Sequence, residues 1–431
     1  MDWLWVCGGG RKEDDDVKVR DGARVREYQI ELEADTYWEY VTTAGFNIDT
    51  IKKSVRRPGG FPRVHRRRLW ELVVDKSRKS LLDEKSGSEA NVKWDDSAFE
   101  TAYRVVYDVD VGLLKLFRKY CLLNNTQGSQ VAEEYLGSAL SLLESTTLST
   151  MSERHKIAVR NGVEQIRKDL IRGTQQIDND RLVGLLLTFV VYNNNSKYKN
   201  EIYVQGTDMI AMTLIDILDD KHAFWAFTFI CEVSMENYFT DQLRGARVEM
   251  SVFIELVREK LPKFTAFLEK LDDYDPVNTY ISSWTFPWFV QIFAGRLPPT
   301  TALHIFDVYF TLLFSRIGAR VMLHAVGLSI FTMIEREFLQ SEDQDAMART
   351  ILAFTGGTDH CREEYGKLSS PEVSARFMAV VFEYLDELSE GDLRKKREVA
   401  DLQLQEEDIA LKLRRAAMKK SSGGRSVKNC T

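Results

Sequence analysis

The sequence predicts an all-α chain built from many helices. Apolar residues recur at three- and four-residue spacing through most of it, and no stretch alternates apolar with polar long enough to claim a strand. An apolar fraction of 44% with only 8 prolines among 431 residues leaves material for a sizeable core.

Residues 1–57 are polar and mixed, with an acidic run Glu13-Asp14-Asp15-Asp16, and read as an N-terminal extension without an assigned role. Residues 74–98 carry charged and small side chains and read as a surface loop. From about residue 130, helix follows helix. Leu182, Leu185, Leu186, Phe189 and Val190 form one apolar helical face, which Asn193-Asn194-Asn195-Ser196 ends. Ile210, Leu214, Ile217 and Leu218 resume the pattern. Val252–Val257 and Phe264–Leu271 repeat it, with Pro262 between them as a first-turn proline. Leu303–Phe314 is apolar nearly all round, which predicts a helix buried on every side. Residues 341–390 read as further helices packing on the domain. Beyond Glu390, Val399, Leu402, Ile409 and Leu413 fit a heptad that Glu406 interrupts, short of the three or four heptads a coiled coil wants. Lys412–Lys428 is basic, contains Ser421-Ser422-Gly423-Gly424, and reads as a disordered tail.

Composition narrows the function. A net charge of −7 gives no case for a nucleic-acid domain. The arginine cluster at 56, 57, 63, 67 and 68 lacks interleaved aromatics for stacking on bases, so it reads as a solvated face toward an acidic partner or membrane. The five cysteines are scattered and never spaced C-x-x-C, which suits reduced cytoplasmic thiols. The longest membrane candidate, Val321–Ile334, falls short of the about 20 apolar residues a span needs and contains His324. Residues 1–6 lack signal-peptide character, Asp2 excludes myristoylation, and Cys430 is not in a prenylation box. The six histidines form no metal motif, and Gly8-Gly9-Gly10-Arg11-Lys12 lacks P-loop spacing; neither a metal site nor intrinsic GTP binding is expected.

Two short polar motifs stand out. Ile166-Arg167-Lys168-Asp169-Leu170-Ile171-Arg172 is an I-x-x-D-x-x-R string, and Tyr203-Val204-Gln205-Gly206 follows it. Three residues apart on a helix, Asp169 and Arg172 share a face and can pair. Taken alone, that is an ordinary surface ion pair worth at most about 1 kcal/mol. A glutamine amide can accept and donate at once, and a glycine beside it permits close backbone approach or an unusual dihedral. Tyr203 reads as packing rather than chemistry.

With further landmarks, the chain resembles the TBC-domain Rab GTPase-activating proteins. Gly60-Phe61-Pro62 with Arg66 and Trp70 is similar to the domain's opening. Asp219-Asp220-Lys221-His222-Ala223-Phe224-Trp225 is similar to its acidic run before A-F-W. Ser283–Phe289, with Trp288, and Leu303–Phe310, with Asp307, are similar to its later segments, all in the family's order over residues 58–340. The distance from Trp70 to Ile166 then implies an insertion over about 74–125.

The resemblance implies that Arg172 is an arginine finger oriented by Asp169. It implies that Gln205, supported by Tyr203 and Gly206, orients the attacking water in place of the GTPase's own glutamine. Both would sit near helix ends on one groove. The partner would be a Rab-type small GTPase that carries the GTP and Mg2+, so this chain needs no cofactor. Arg66, Trp70, Trp225, Trp288 and Asp307 would be structural, Asp307 because a carboxylate in an apolar helix must be paired if buried. The resemblance also implies a cytoplasmic regulator of vesicle traffic, compatible with peripheral attachment to endomembranes. Gly173, Thr207 and Phe306 depart from the family's usual residues, which keeps a second reading open: a catalytically weak scaffold that binds a small GTPase without stimulating it.

Overall fold

In the computed structural model the described residues are 48–56, 61, 63–84, 94–108, 112–126, 129–145, 153–172, 179–194, 203–235, 238–239, 243–271, 274–313, 319–356 and 366–423. Most of them are helical, and no strand occurs among them. The acidic run of the N-terminal extension, Gly60, Pro62, Gly173 and residues 424–431 lie outside the described residues.

The centre is α13 (Pro299–Leu313), whose apolar circumference packs against α1 (Ile48–Val55), α2 (Arg63–Glu84) and α14 (Ala319–Phe338). Ile305, Phe306, Tyr309 and Phe310 are completely buried, as its pattern predicts. Asp307 is equally buried. It accepts from Arg66 Nε and from the Trp70 indole, each at 2.9 Å, so α2 is fixed to α13 by a paired charge and a stacked ring. Phe306 keeps an aromatic ring 6.0 Å from Trp70.

The loop expected over 74–98 is corrected at its two ends, and its middle, 85–93, lies outside the described residues. α2 continues to Glu84 with Val73, Val74 and Leu81 buried, and α3 (Asp96–Tyr107) begins just before the expected end. Asp75 and Lys79 lie on the exposed face of α2, opposite Val73, Val74 and Leu81. α3 packs on α7 (Asp180–Asn194), and α4 (Leu113–Thr126) pairs with α5 (Ser129–Ser145). Trp225, on α9 (Asp220–Phe229), is buried among Trp94, Tyr192 and Phe224, with the Arg78 guanidinium over its ring.

α10 (Arg244–Lys260) is followed by α11 (Pro262–Leu268), which opens on the first-turn Pro262, and α12 (Pro276–Val290) packs against α10. Trp288 is buried on α12 against Phe293 and Phe331. Of the helices expected over 341–390, α15 (Gln344–Thr355) and α16 (Pro371–Glu387) both pack on α14.

The tail departs from expectation. α17 (Glu390–Gly423) is one helix that runs through most of the basic stretch read as disordered. Its docking residues are Leu393, Ala400 and Leu404, set against α10, whereas the heptad residues Val399, Leu402, Ile409 and Leu413 face solvent. Ion pairs select that face. The buried Glu249 accepts from Arg397 Nε at 2.7 Å and bonds His324 at 2.8 Å, while Arg244 pairs with Asp401 at 2.7 Å. Burial pushes the Glu249 carboxyl up, but the His324 hydrogen bond and the nearby Arg397 and Arg320 guanidinium groups hold it down at about 2.

Candidate functional site

The two polar motifs meet at one carboxylate. α6 (Glu153–Arg172) ends on Arg172, and α8 (Thr207–Ile215) begins directly after Gln205-Gly206. Asp169, one turn before the end of α6, is 6% exposed. Its Oδ2 accepts from the Tyr203 hydroxyl at 2.9 Å and from the Gly206 backbone N–H at 3.1 Å. Its Oδ1 accepts from Gln165 Nε2 at 2.9 Å and from Arg172 at 3.4 Å. One buried carboxylate therefore ties the end of α6 to the turn before α8. The Arg172 and Gln205 side chains remain exposed beside it.

The turn is specified locally. Thr207 N–H donates to the Val204 carbonyl at 3.2 Å and Thr207 Oγ1 donates to it at 2.8 Å. Thr207, where the family often has a larger apolar residue, thus closes the turn that carries Gln205. Gly206 has φ +92, which a side-chain-bearing residue rarely adopts. A Cβ there would also lie 2.9 Å from Gln291 Nε2, so the Gln291 side chain packs directly against this glycine. At the other end of α8, Arg181 donates to the Ile215 and Leu218 carbonyls at 2.7 and 2.8 Å and pairs with Asp220 at 2.7 Å. α8 is thereby held at both ends.

A second buried carboxylate, Asp208, lies in the first turn of α8. Burial and the nearby Asp169 charge push it up to about 6 against the pull of backbone N–H groups at the helix start. Tyr203 is pushed well above its ordinary value by burial and the same two carboxylates, so it stays a hydroxyl donor. Tyr203 is both a packing residue and the link to Asp169.

Sequence reasoning missed Asp208, Gln165, Gln291 and Arg296. Gln165 is signalled by its i, i+4 spacing from Asp169. Gln291 reaches Gly206 from 85 positions away in sequence, with Arg296 bonded to it, and no local pattern announces that. For cations, one group among the described residues has ligand atoms close together: Glu71, Asp219 and His222. The Arg67 guanidinium already lies between its carboxylates, donating to Glu71 at 2.6 Å and Asp219 at 3.0 Å.

The described domain is all-α, and one buried carboxylate links an exposed arginine to the turn that bears an exposed glutamine. The chain belongs to the Rab-GTPase-TBC domain family, whose model matches residues 121–339, about half of its length. Arg66 and Trp70 precede that match, yet pack onto Asp307 within it. Among curated proteins, the chain is 28% identical over 306 residues to TBC1 domain family member 30 of Mus musculus, covering 66% of this chain and 37% of that protein. It is 29% identical over 357 residues to TBC1 domain family member 2B of Mus musculus, covering 79% of this chain and 30% of that protein. The chain thus spans about a third of the length of the curated relatives it matches. Its fold is similar to the solved Ypt/Rab-GAP domain of Gyp1p, with a TM-score of 0.51 at 10% identity over 82% of this chain and 98% of that one. No helix among the described residues is long and apolar enough to cross a membrane.

Proposed function

We propose that this chain stimulates GTP hydrolysis by a Rab-family small GTPase, with Arg172 and Gln205 as the two residues it supplies. The carrying observation is Asp169, which binds Arg172 on one side and the turn bearing Gln205 on the other. GTP and Mg2+ belong to the partner. Arg172 is the transition-state cation: its guanidinium stays charged and offers several donors to phosphate oxygens. Gln205 orients water, its carbonyl accepting from the nucleophile while its NH2 donates. Asp169 acts through both, preserving their placement so that little reorganisation is needed when the GTPase docks. Such a pair contributes about 10³–10⁵ to the partner's hydrolysis rate.

Family membership supports a Rab partner, and the exposure of both side chains suits action in trans. Vesicle traffic and a peripheral place on endomembranes follow from that partner as part of the same proposal. The test is single-turnover GTP hydrolysis across a Rab panel, with wild type and Arg172→Ala side by side. Stimulation of at least one Rab, cut tenfold or more by the substitution, is the expected result. Binding of a Rab with no change in its hydrolysis rate would instead establish the scaffold reading.

A further inference from the structure

The chain after α12 is strained, buried and aimed at the glutamine turn. Pro287 lies inside α12 and cannot donate a helical hydrogen bond, and the helix ends three residues later. Ile292, at φ 52, and Phe293, at φ 60, then follow in the left-handed region, with Gly295 at φ 66. A β-branched residue there is a conformational outlier that persists only where its surroundings dictate it, and such residues cluster at functional sites. Ile292, Phe293 and Ala294 are completely buried.

The strained segment presents two contacts to the region of Gln205. Gly295 has no room for a Cβ because the Met209 side chain, in the first turn of α8, fills that space. Gln291 is 9% exposed and lies against Gly206. Arg296 Nε donates to Gln291 Oε1 at 2.5 Å. An arginine can only donate, so this bond fixes which end of the amide is oxygen and turns the NH2 toward Gly206. Arg296 also faces the Asp208 carboxylate.

The geometry points to Gln291, oriented by Arg296, as a positioning residue for the glutamine finger: it buttresses Gly206 from behind and thereby fixes where Gln205 reaches. This rests on the dual-finger reading above. Asp169 holds the turn through hydrogen bonds on one side, and Gln291 limits its retreat on the other. A loosened turn leaves Gln205 present but misplaced, and misplacement by about 1 Å costs up to about 10²-fold in rate. GTPase docking does not require Gln291, which is nearly buried.

The experiment is a double-mutant cycle on a Rab that wild type stimulates, with single-turnover hydrolysis measured against activator concentration. Gln291→Leu is expected to lower the maximal stimulated rate about tenfold while the half-saturating concentration changes less than about twofold. In a Gln205→Ala background, Gln291→Leu is expected to do nothing more, because the residue it positions is gone. Gln291→Met, closer in shape, is the second variant if the leucine protein does not fold, as judged by thermal melts. Equal losses from Gln291→Leu in both backgrounds would overturn the inference, as would full activity of a folded Gln291 variant whose Gln205→Ala counterpart is inactive. Unchanged activity of Gln205→Ala itself would overturn the dual-finger reading, and this inference with it.

Discussion

Replacing Asp169 by alanine tests whether one carboxylate organises the site. The change removes the acceptor for the Tyr203 hydroxyl, which is buried, and for the Gly206 N–H, which is partly so. A buried donor left unsatisfied costs about 1–3 kcal/mol, and the half-buried amide belongs at the low end, so the sum is about 2–4 kcal/mol. For a domain of this size each kcal/mol moves the melting temperature by about 2 °C, which gives a drop of about 4–8 °C. The catalytic loss is larger in proportion, because both fingers lose their anchor, and stimulation should fall about 10²-fold or more. Asp169→Asn separates the two halves. Its remaining carbonyl can still serve Tyr203 and Gly206, while its NH2 would face the donors of Arg172 and Gln165. It should therefore melt closer to wild type and lose less stimulation than alanine does. Circular-dichroism melts paired with single-turnover hydrolysis supply both readings. Wild-type melting of Asp169→Ala, or equal catalytic loss in the two variants, would refute the reasoning.

Three further outcomes are expected. Asp307→Ala should cost about 3–5 kcal/mol, because it strands the buried Arg66 guanidinium and the Trp70 N–H; an unchanged melting temperature with lost stimulation would place Asp307 in the catalytic machinery instead. Asp208→Asn should stabilise the protein by about 1–3 kcal/mol at pH 7.5 and much less at pH 4: a carboxyl raised to about 6 binds its proton more tightly when folded, so its ionisation destabilises the fold progressively as pH rises from about 4 to 6. Melts of variant and wild type across that range check the sign, which a gain confined to low pH would reverse. Gln205→Ala should lose stimulation even on a Rab that keeps its own switch glutamine, and wild type should still stimulate a Rab whose glutamine is changed to alanine. Dependence on the Rab glutamine with Gln205 dispensable would support an arginine-only mechanism.

Local pattern determined much of this protein. The i, i+3, i+4 periodicity placed α7, α8, α10 and α11, since a helix that must bury one face writes that face into its sequence. Leu303–Phe314 announced a central helix because a segment apolar nearly all round has nowhere else to lie. The motif landmarks were enough for the family. Where an outer face is highly charged, local reading failed. Residues 74–84 looked like loop because only Val74 and Leu81 mark their buried side. α17 was misread for a related reason. Its solvent-facing heptad was the more regular apolar pattern, but the face that docks was chosen by Arg244 and Glu249 on α10, out of sight of the tail's own sequence. The candidate site divides along the same line. Asp169, Arg172, Gln205 and Gly206 were legible because their spacing is local. That Asp169 bonds the Gly206 amide, that Asp208 sits beside it, and that Gln291 reaches Gly206 from the end of α12 were decided only by tertiary packing. Hydrogen bonds and close contacts between distant segments leave no period in a sequence; they exist only once the helices that carry them have been brought together.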